Sequence, residues 1–171
     1  AVSSCIRYYT ANCDRVHMCV GSCVSATIWV KICAWAQSII GKEMEEQMID
    51  MFGKIPDKLN IVCAIGGGSS SYGAFSHFID KEHVKLTGIE AGGPQGKNKG
   101  ADSLSRGTIG VLHGSKSYLL QDKNSMVSNT TSISAGLDYP SNSPLHSHLK
   151  DLNRLQVMSV SDEEVLESFK L

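Results

Sequence analysis

The most constraining feature of this 171-residue chain lies between Asn60 and Glu90. A short apolar run, Ile61-Val62-Cys63-Ala64-Ile65, feeds directly into Gly66-Gly67-Gly68-Ser69-Ser70-Ser71. Tyr72, Phe75, Phe78 and Ile79 then recur at three- and four-residue spacing, which predicts a helix. Val84 to Glu90 reads as a second strand. Strand, glycine turn, helix and strand within about thirty residues form a βαβ crossover, and this commits the chain to an α/β fold with a mostly parallel sheet flanked by helices. The first strand shows no alternation, as expected of a strand buried on both faces.

The glycine turn also carries chemistry. Without Cβ atoms, successive backbone N–H groups can converge on an anion, and the first turn of the following helix adds unpaired donors and partial positive charge. The hydroxyls of Ser69, Ser70 and Ser71 can donate as well. No lysine lies in the turn, so it is not a P-loop, and its spacing is not that of a dinucleotide fingerprint. A phosphate cradle and a plain flexible turn both fit this stretch taken by itself.

Elsewhere, Met44, Met48, Ile49 and Phe52 predict an amphipathic helix from about Gly41 to Phe52, ended by Gly53 and Pro56. Val111-Leu112 and Tyr118-Leu119-Leu120 read as short strands around His113-Gly114. Gly92 to Gly107 reads as a loop with a short turn, and Ser132 to Leu149 as mostly loop around Pro140 and Pro144. Ser161-x-x-Glu164 is a capping box that opens a helix with Val165, Leu166 and Phe169 on its apolar face.

Composition narrows the function classes. Net charge is −1 with the charges interspersed, which argues against nucleic-acid binding. The apolar stretch from Met18 to Ile40 is interrupted by Ser22, Ser25, Thr27, Lys31, Gln37 and Ser38, so it does not predict a membrane span. No secretory signal is read at the start, and the first residue is alanine, which suggests a mature product or a fragment. The six cysteines match no zinc or redox spacing and are expected to be buried free thiols. His146-x-His148 lacks an obvious third ligand, so no metal is assigned to it.

Seven stretches, taken in order, resemble the tryptophan synthase β-chain family. They are Gln37-Ser38-Ile39-Ile40-Gly41-Lys42-Glu43, Ile61 to Ser69, Gly88-Ile89-Glu90-Ala91-Gly92-Gly93, Gly110-Val111-Leu112-His113-Gly114, Tyr118-Leu119-Leu120-Gln121-Asp122, Ser132 to Pro140, and Ser161-Asp162-Glu163-Glu164. Arg7 to Gly21 is similar to the family's stretch that ends in Gly-Ser.

The resemblance implies part of a fold-type II architecture, the fold of a group of pyridoxal 5'-phosphate enzymes. Residues 1–40 are expected to be a divergent, least ordered remnant of the N-terminal domain, exposing apolar surface that favours association. Residues 41–171 correspond to the C-terminal phosphate-binding domain, truncated at its end. Gly66, Gly67, Gly68, Ser69 and Ser70 take the role of holding the cofactor phosphate. The carbonyls of Gly66, Tyr139 and Ser141 are implied to line a monovalent-cation site. Asp138 matches the acidic residue on the substrate side that helps open and close the site.

The family reaction is β-replacement of L-serine with indole to give L-tryptophan. Its partners are the α subunit and a second β chain, and its compartment is the cytoplasm, or the plastid stroma in a plant. The lysine that bears the cofactor as a Schiff base sits in a His-Lys-x-Asn setting, and no lysine here has it. Ser70 stands where the family has asparagine. Asn142 and Ser143 replace apolar and glycine residues, and Trp35-Ala36 replaces an Asp-Phe pair. The expectation is therefore a partial chain that is inactive alone. A non-catalytic phosphate-binding or pyridoxal-phosphate-binding remnant, or an interaction module, is the alternative.

Overall fold

A computed structural model of the chain describes residues 2–97 and 99–171. Ala1, in the predicted N-terminal remnant, and Asn98, in the predicted loop, lie outside the described residues. Helices α1 (Val2–Ala11) and α2 (Thr27–Gln37) precede α3 (Ile39–Phe52), β1 (Leu59–Ala64), α4 (Ser69–Ser76) and β2 (Val84–Gly93). After the short α5 (Ser103–Arg106) come β3 (Thr108–Leu112), β4 (Ser115–Leu119), α6 (Pro144–Asp151), β5 (Gln156–Ser161) and α7 (Asp162–Phe169).

The predicted crossover forms: β1 pairs parallel with β2, with Leu59 opposite Val84 and Ala64 opposite Ile89. Strand β5 joins the other side of β2, also parallel, so the sheet order is β1-β2-β5. Strands β3 and β4 form a separate antiparallel hairpin, turned by His113 and Gly114 with φ of 50° and 80°. Positive φ at both turn residues suits the right-handed twist of the flanking strands.

One face of the sheet is well covered. Ile61, Leu86 and Val84 pack with Phe75 of α4, with Phe78 just after it and with Leu149 of α6, all nearly or wholly buried. The opposite face is open: Val62 is 55% exposed and Met158 is 47% exposed. This corrects the reading of β1 as buried on both faces. The strand is an edge strand with one covered side, and its unbroken apolar run does not report which side has a partner.

Helix α3 begins at Ile39, two residues before the expected start, and ends as expected with Gly53 left-handed at φ 75°. Close approach fixes the packing of α3 and α2 on α4. A Cβ on Gly41 would meet the Gly73 carbonyl oxygen at 2.8 Å, and one on Gly73 would collide with the Gln37 carbonyl. Glu45 then ties α3 to the end of α4 through Lys81 at 2.9 Å and His77 at 2.5 Å.

The stretch expected to be mostly loop contains α6, a second correction. Ser143 caps it by accepting from Leu145 N, and Pro144 occupies the first turn, where a missing N–H costs nothing. The capping box of α7 is present in full. Its apolar side is open, with Phe169 87% exposed. All six cysteines are free, but only Cys23 and Cys33 are buried; Cys5, Cys13 and Cys19 are exposed and Cys63 is intermediate.

Candidate functional site: a glycine loop with unmatched donors

The loop sits where a parallel strand runs into a helix. Ile65 N still donates to Ile89 O at 2.7 Å, holding the chain to the sheet up to the first glycine. Gly68 then takes φ 86° and becomes the residue preceding α4. Among the described residues, nothing accepts a hydrogen bond from the backbone N–H groups of Gly66 through Ser71; the next one, Tyr72 N, donates to Gly68 O at 3.0 Å. Six consecutive unmatched donors at a helix start are the backbone arrangement that binds anions.

The glycines have a second physical cause as well. A Cβ on Gly66 would meet Gly136 O at 2.8 Å, one on Gly67 would meet Ser22 Oγ at 2.7 Å, and one on Gly68 would meet the His146 ring at 2.7 Å. The turn is therefore walled by the segments around Ser22, Gly136 and His146. The backbone carbonyl beside Gly66 and the positive φ at Gly68 favour residues without side chains there, whereas the Ser22 hydroxyl beside Gly67 can turn aside.

The wall residues form a buried polar shell. His146 is wholly buried, with Nε2 2.9 Å from Ser71 Oγ, and burial pushes its imidazole down to about 4. Asn142, 1% exposed, donates from Nδ2 to Gly66 O at 3.0 Å and accepts from Ser143 N through Oδ1. A cation drawn to the carbonyls of Gly66, Tyr139 and Ser141 would share the Gly66 oxygen with this amide. Tyr139 Oη is bonded to His113 Nδ1, and Ser141 Oγ lies 3.0 Å from Ser117 Oγ. Asp138 has a buried Oδ1 with no partner among the described residues.

A second polar cluster lies beyond the C-terminal part of β2. Glu90, 1% exposed, accepts from Leu104 N, Ser105 N and Ser105 Oγ at 2.8–2.9 Å. Burial raises its carboxyl to about 7 despite those bonds. Asp102 beside it accepts from Arg106 and from Ser159 Oγ.

Sequence reasoning named the loop, the Ser71 hydroxyl and Asp138, but it did not place His146 against Ser71 or Asn142 against Gly66. Ser143-Pro144, a cap followed by a first-turn proline, is the one signal that could have placed His146 on a helix. The pyridoxal-phosphate fit divides in two. Unmatched N–H donors and hydroxyls suit the phosphate, whereas several lysines are engaged elsewhere: Lys150 donates to Leu104 O, and Lys81 and Lys42 pair with glutamates.

No protein-family model matches the chain. The crystal structure of a threonine deaminase from T.th. superimposes on 79% of this chain and 41% of that chain, with TM-score 0.51 and 20% identity. The chain thus shares the α/β fold of that structure, a parallel sheet flanked by helices. By sequence the chain is 41% identical over its full length to the tryptophan synthase beta chain of Allorhizobium ampelinum. The chain thus resembles the tryptophan synthase β chain over its whole length, and it spans 42% of the length of that relative.

Proposed function

We propose that this chain is the phosphate-holding part of a tryptophan synthase β-like protein, in which Gly66, Gly67, Gly68, Ser69 and Ser70 bind the phosphate of pyridoxal 5'-phosphate. The observation that carries the reading is the run of six backbone N–H groups without an acceptor at the start of α4. In the whole protein the cofactor supplies an electron sink for β-replacement of L-serine with indole. The residues here orient that cofactor by its phosphate, and Asp138 contributes a carboxylate on the substrate side. The lysine that bears the cofactor is not among these 171 residues, so the chain by itself holds the phosphate without catalysing the reaction. Residues 1–40 act as the end of the N-terminal domain, and 41–171 as the phosphate-binding domain.

An α subunit and a second β chain are the partners that go with this reading, and the cytoplasm is its compartment. No helix among the described residues is long and apolar enough to cross a membrane. The exposed side chains of Ile28, Ile32, Trp35 and Ile39 support association. Calorimetric titration with pyridoxal 5'-phosphate tests the proposal. Ser70 is exposed, so Ser70→Asp adds a negative charge to the cradle with little cost to folding. Binding should weaken by about tenfold or more, as expected when a like charge meets the phosphate. Equal affinities for parent and variant would rule the loop out. Neither protein should convert serine and indole alone; turnover by the parent would refute the inactive-alone reading.

A further inference from the structure

His146 stands out because its ring is wholly buried yet only half used. Its Nε2 lies 2.9 Å from Ser71 Oγ, and Tyr72 and Phe75 meet the ring edge-on with centroids 6.0 and 6.1 Å away. Its Nδ1 has no hydrogen-bond partner among the described residues. A buried polar atom left this way is costly, and folded proteins keep few of them.

The position of this atom gives it meaning. A Cβ built on Gly68 would fall 2.7 Å from both Nδ1 and Cε1, so the orphan nitrogen lies against the residue where the turn becomes helix. Ser71 is the third residue of that same helix. The ring therefore spans the stretch that carries the unmatched N–H groups, held at one nitrogen and open at the other. A neutral imidazole carries a single N–H, and when Ser71 donates to Nε2 that hydrogen must sit on Nδ1. Burial keeps the ring neutral, so it can donate without bringing a positive charge into the core.

We propose that His146 is a further residue of the phosphate site: Ser71 fixes its Nε2, and its Nδ1–H is donated to the anion gathered by the N–H groups of Gly66 to Ser71. This inference rests on the reading of the loop as a phosphate cradle. It makes α6, through His146, part of the ligand shell, and it gives Ser71 a positioning role through the ring.

Nitrogen NMR on the 15N-labelled full chain, titrated with inorganic phosphate, tests it. The backbone amides of Gly67 to Ser70 and the imidazole nitrogens of His146 should shift with one common midpoint, with the proton remaining on Nδ1. Two variants separate the ring's nitrogens. His146→Asn keeps a donor near the Nδ1 position and should bind phosphate within about threefold of the parent, whereas His146→Gln keeps only the Ser71 side and should bind about tenfold more weakly, the loss of roughly one hydrogen bond. Ser71→Ala leaves the ring in place but releases its tautomer, and should weaken binding about threefold. Should His146→Gln not fold, Ser71→Ala and the parent spectra decide the matter. Amides that shift while Nδ1 stays fixed, or a His146→Gln variant that binds as tightly as the parent, overturn the role of His146. Amides that do not respond to phosphate at all remove the cradle reading itself, a different and recognisable result.

Discussion

Helices α2 and α4 differ in an instructive way. Helix α2, TIWVKICAWAQ, is far the more apolar in sequence, yet it buries only Val30 and Cys33. Helix α4, SSSYGAFS, is largely serine, glycine and alanine, yet it buries Ser71, Gly73, Ala74 and Phe75. Apolar content does not set burial here; available partner surface does. Helix α4 sits on a parallel sheet with α2, α3 and α6 around it, whereas the far side of α2 has nothing against it among the described residues. Ile28, Ile32 and Trp35 recur every three or four residues along that side, 48–79% exposed. Small residues let α4 lie close to its neighbours, and Gly73 touches the end of α2 through the Gln37 carbonyl.

The largest test of this contrast is Phe75→Ala. Phe75 is fully buried in the main core, so the substitution should destabilise the fold by about 3–5 kcal/mol in urea unfolding. A loss below about 1 kcal/mol would mean that α4 is not the centre of the core.

A second test asks how dry that core is, through two buried groups shifted in opposite directions. Glu90 is raised from 4.5 to about 7, so its contribution to stability is greatest below pH 4.5 and is lost as pH rises to about 7. His146 is lowered from 6.5 to about 4, so its contribution is present above pH 6.5 and is lost as pH falls to about 4. Each spans about 3 kcal/mol, and between pH 4.5 and 6.5 the two slopes oppose. Glu90→Gln should therefore leave stability that climbs with pH over that window, and His146→Gln should leave stability that falls. Equal slopes in both variants, followed by chemical unfolding at several pH values, would show that water reaches these sites.

The smallest effect belongs to the open side of α2. Ile32→Lys together with Trp35→Lys should change stability by no more than about 0.5 kcal/mol per site. The same pair should reduce self-association in sedimentation velocity. A large drop in stability would mean that this stripe is packed within the chain.

These contrasts explain what was legible beforehand. The βαβ unit was readable because all its signals are local: an apolar run, three glycines, aromatic residues at helical spacing, a second run. The glycine loop itself was readable for the same reason. Helix α6 was not, because its buried positions are His146, Ser147 and Leu149, which carry no apolar period. Strand β5 was also hidden: QVMSVS is polar enough to pass for loop, and it becomes a strand by pairing with β2. The Ser71 partner of His146 could not be read from sequence, since it is 75 positions away and the contact depends on α6 existing. Cys5 was misjudged because helix α1, which carries it, buries no residue.

The pairing of β5 with β2 has a consequence for how the protein is made. Thr87 and its partner Gln156 are separated by about seventy residues of chain. At ordinary translation rates of roughly 5–20 residues per second, one edge of β2 waits for several seconds after it emerges. Throughout that interval Leu86, Ile89 and their neighbours can pair with another nascent strand. Yield in a cell should then depend on translation speed and on chaperones that shield open strand edges, even for sequences whose finished fold is equally stable.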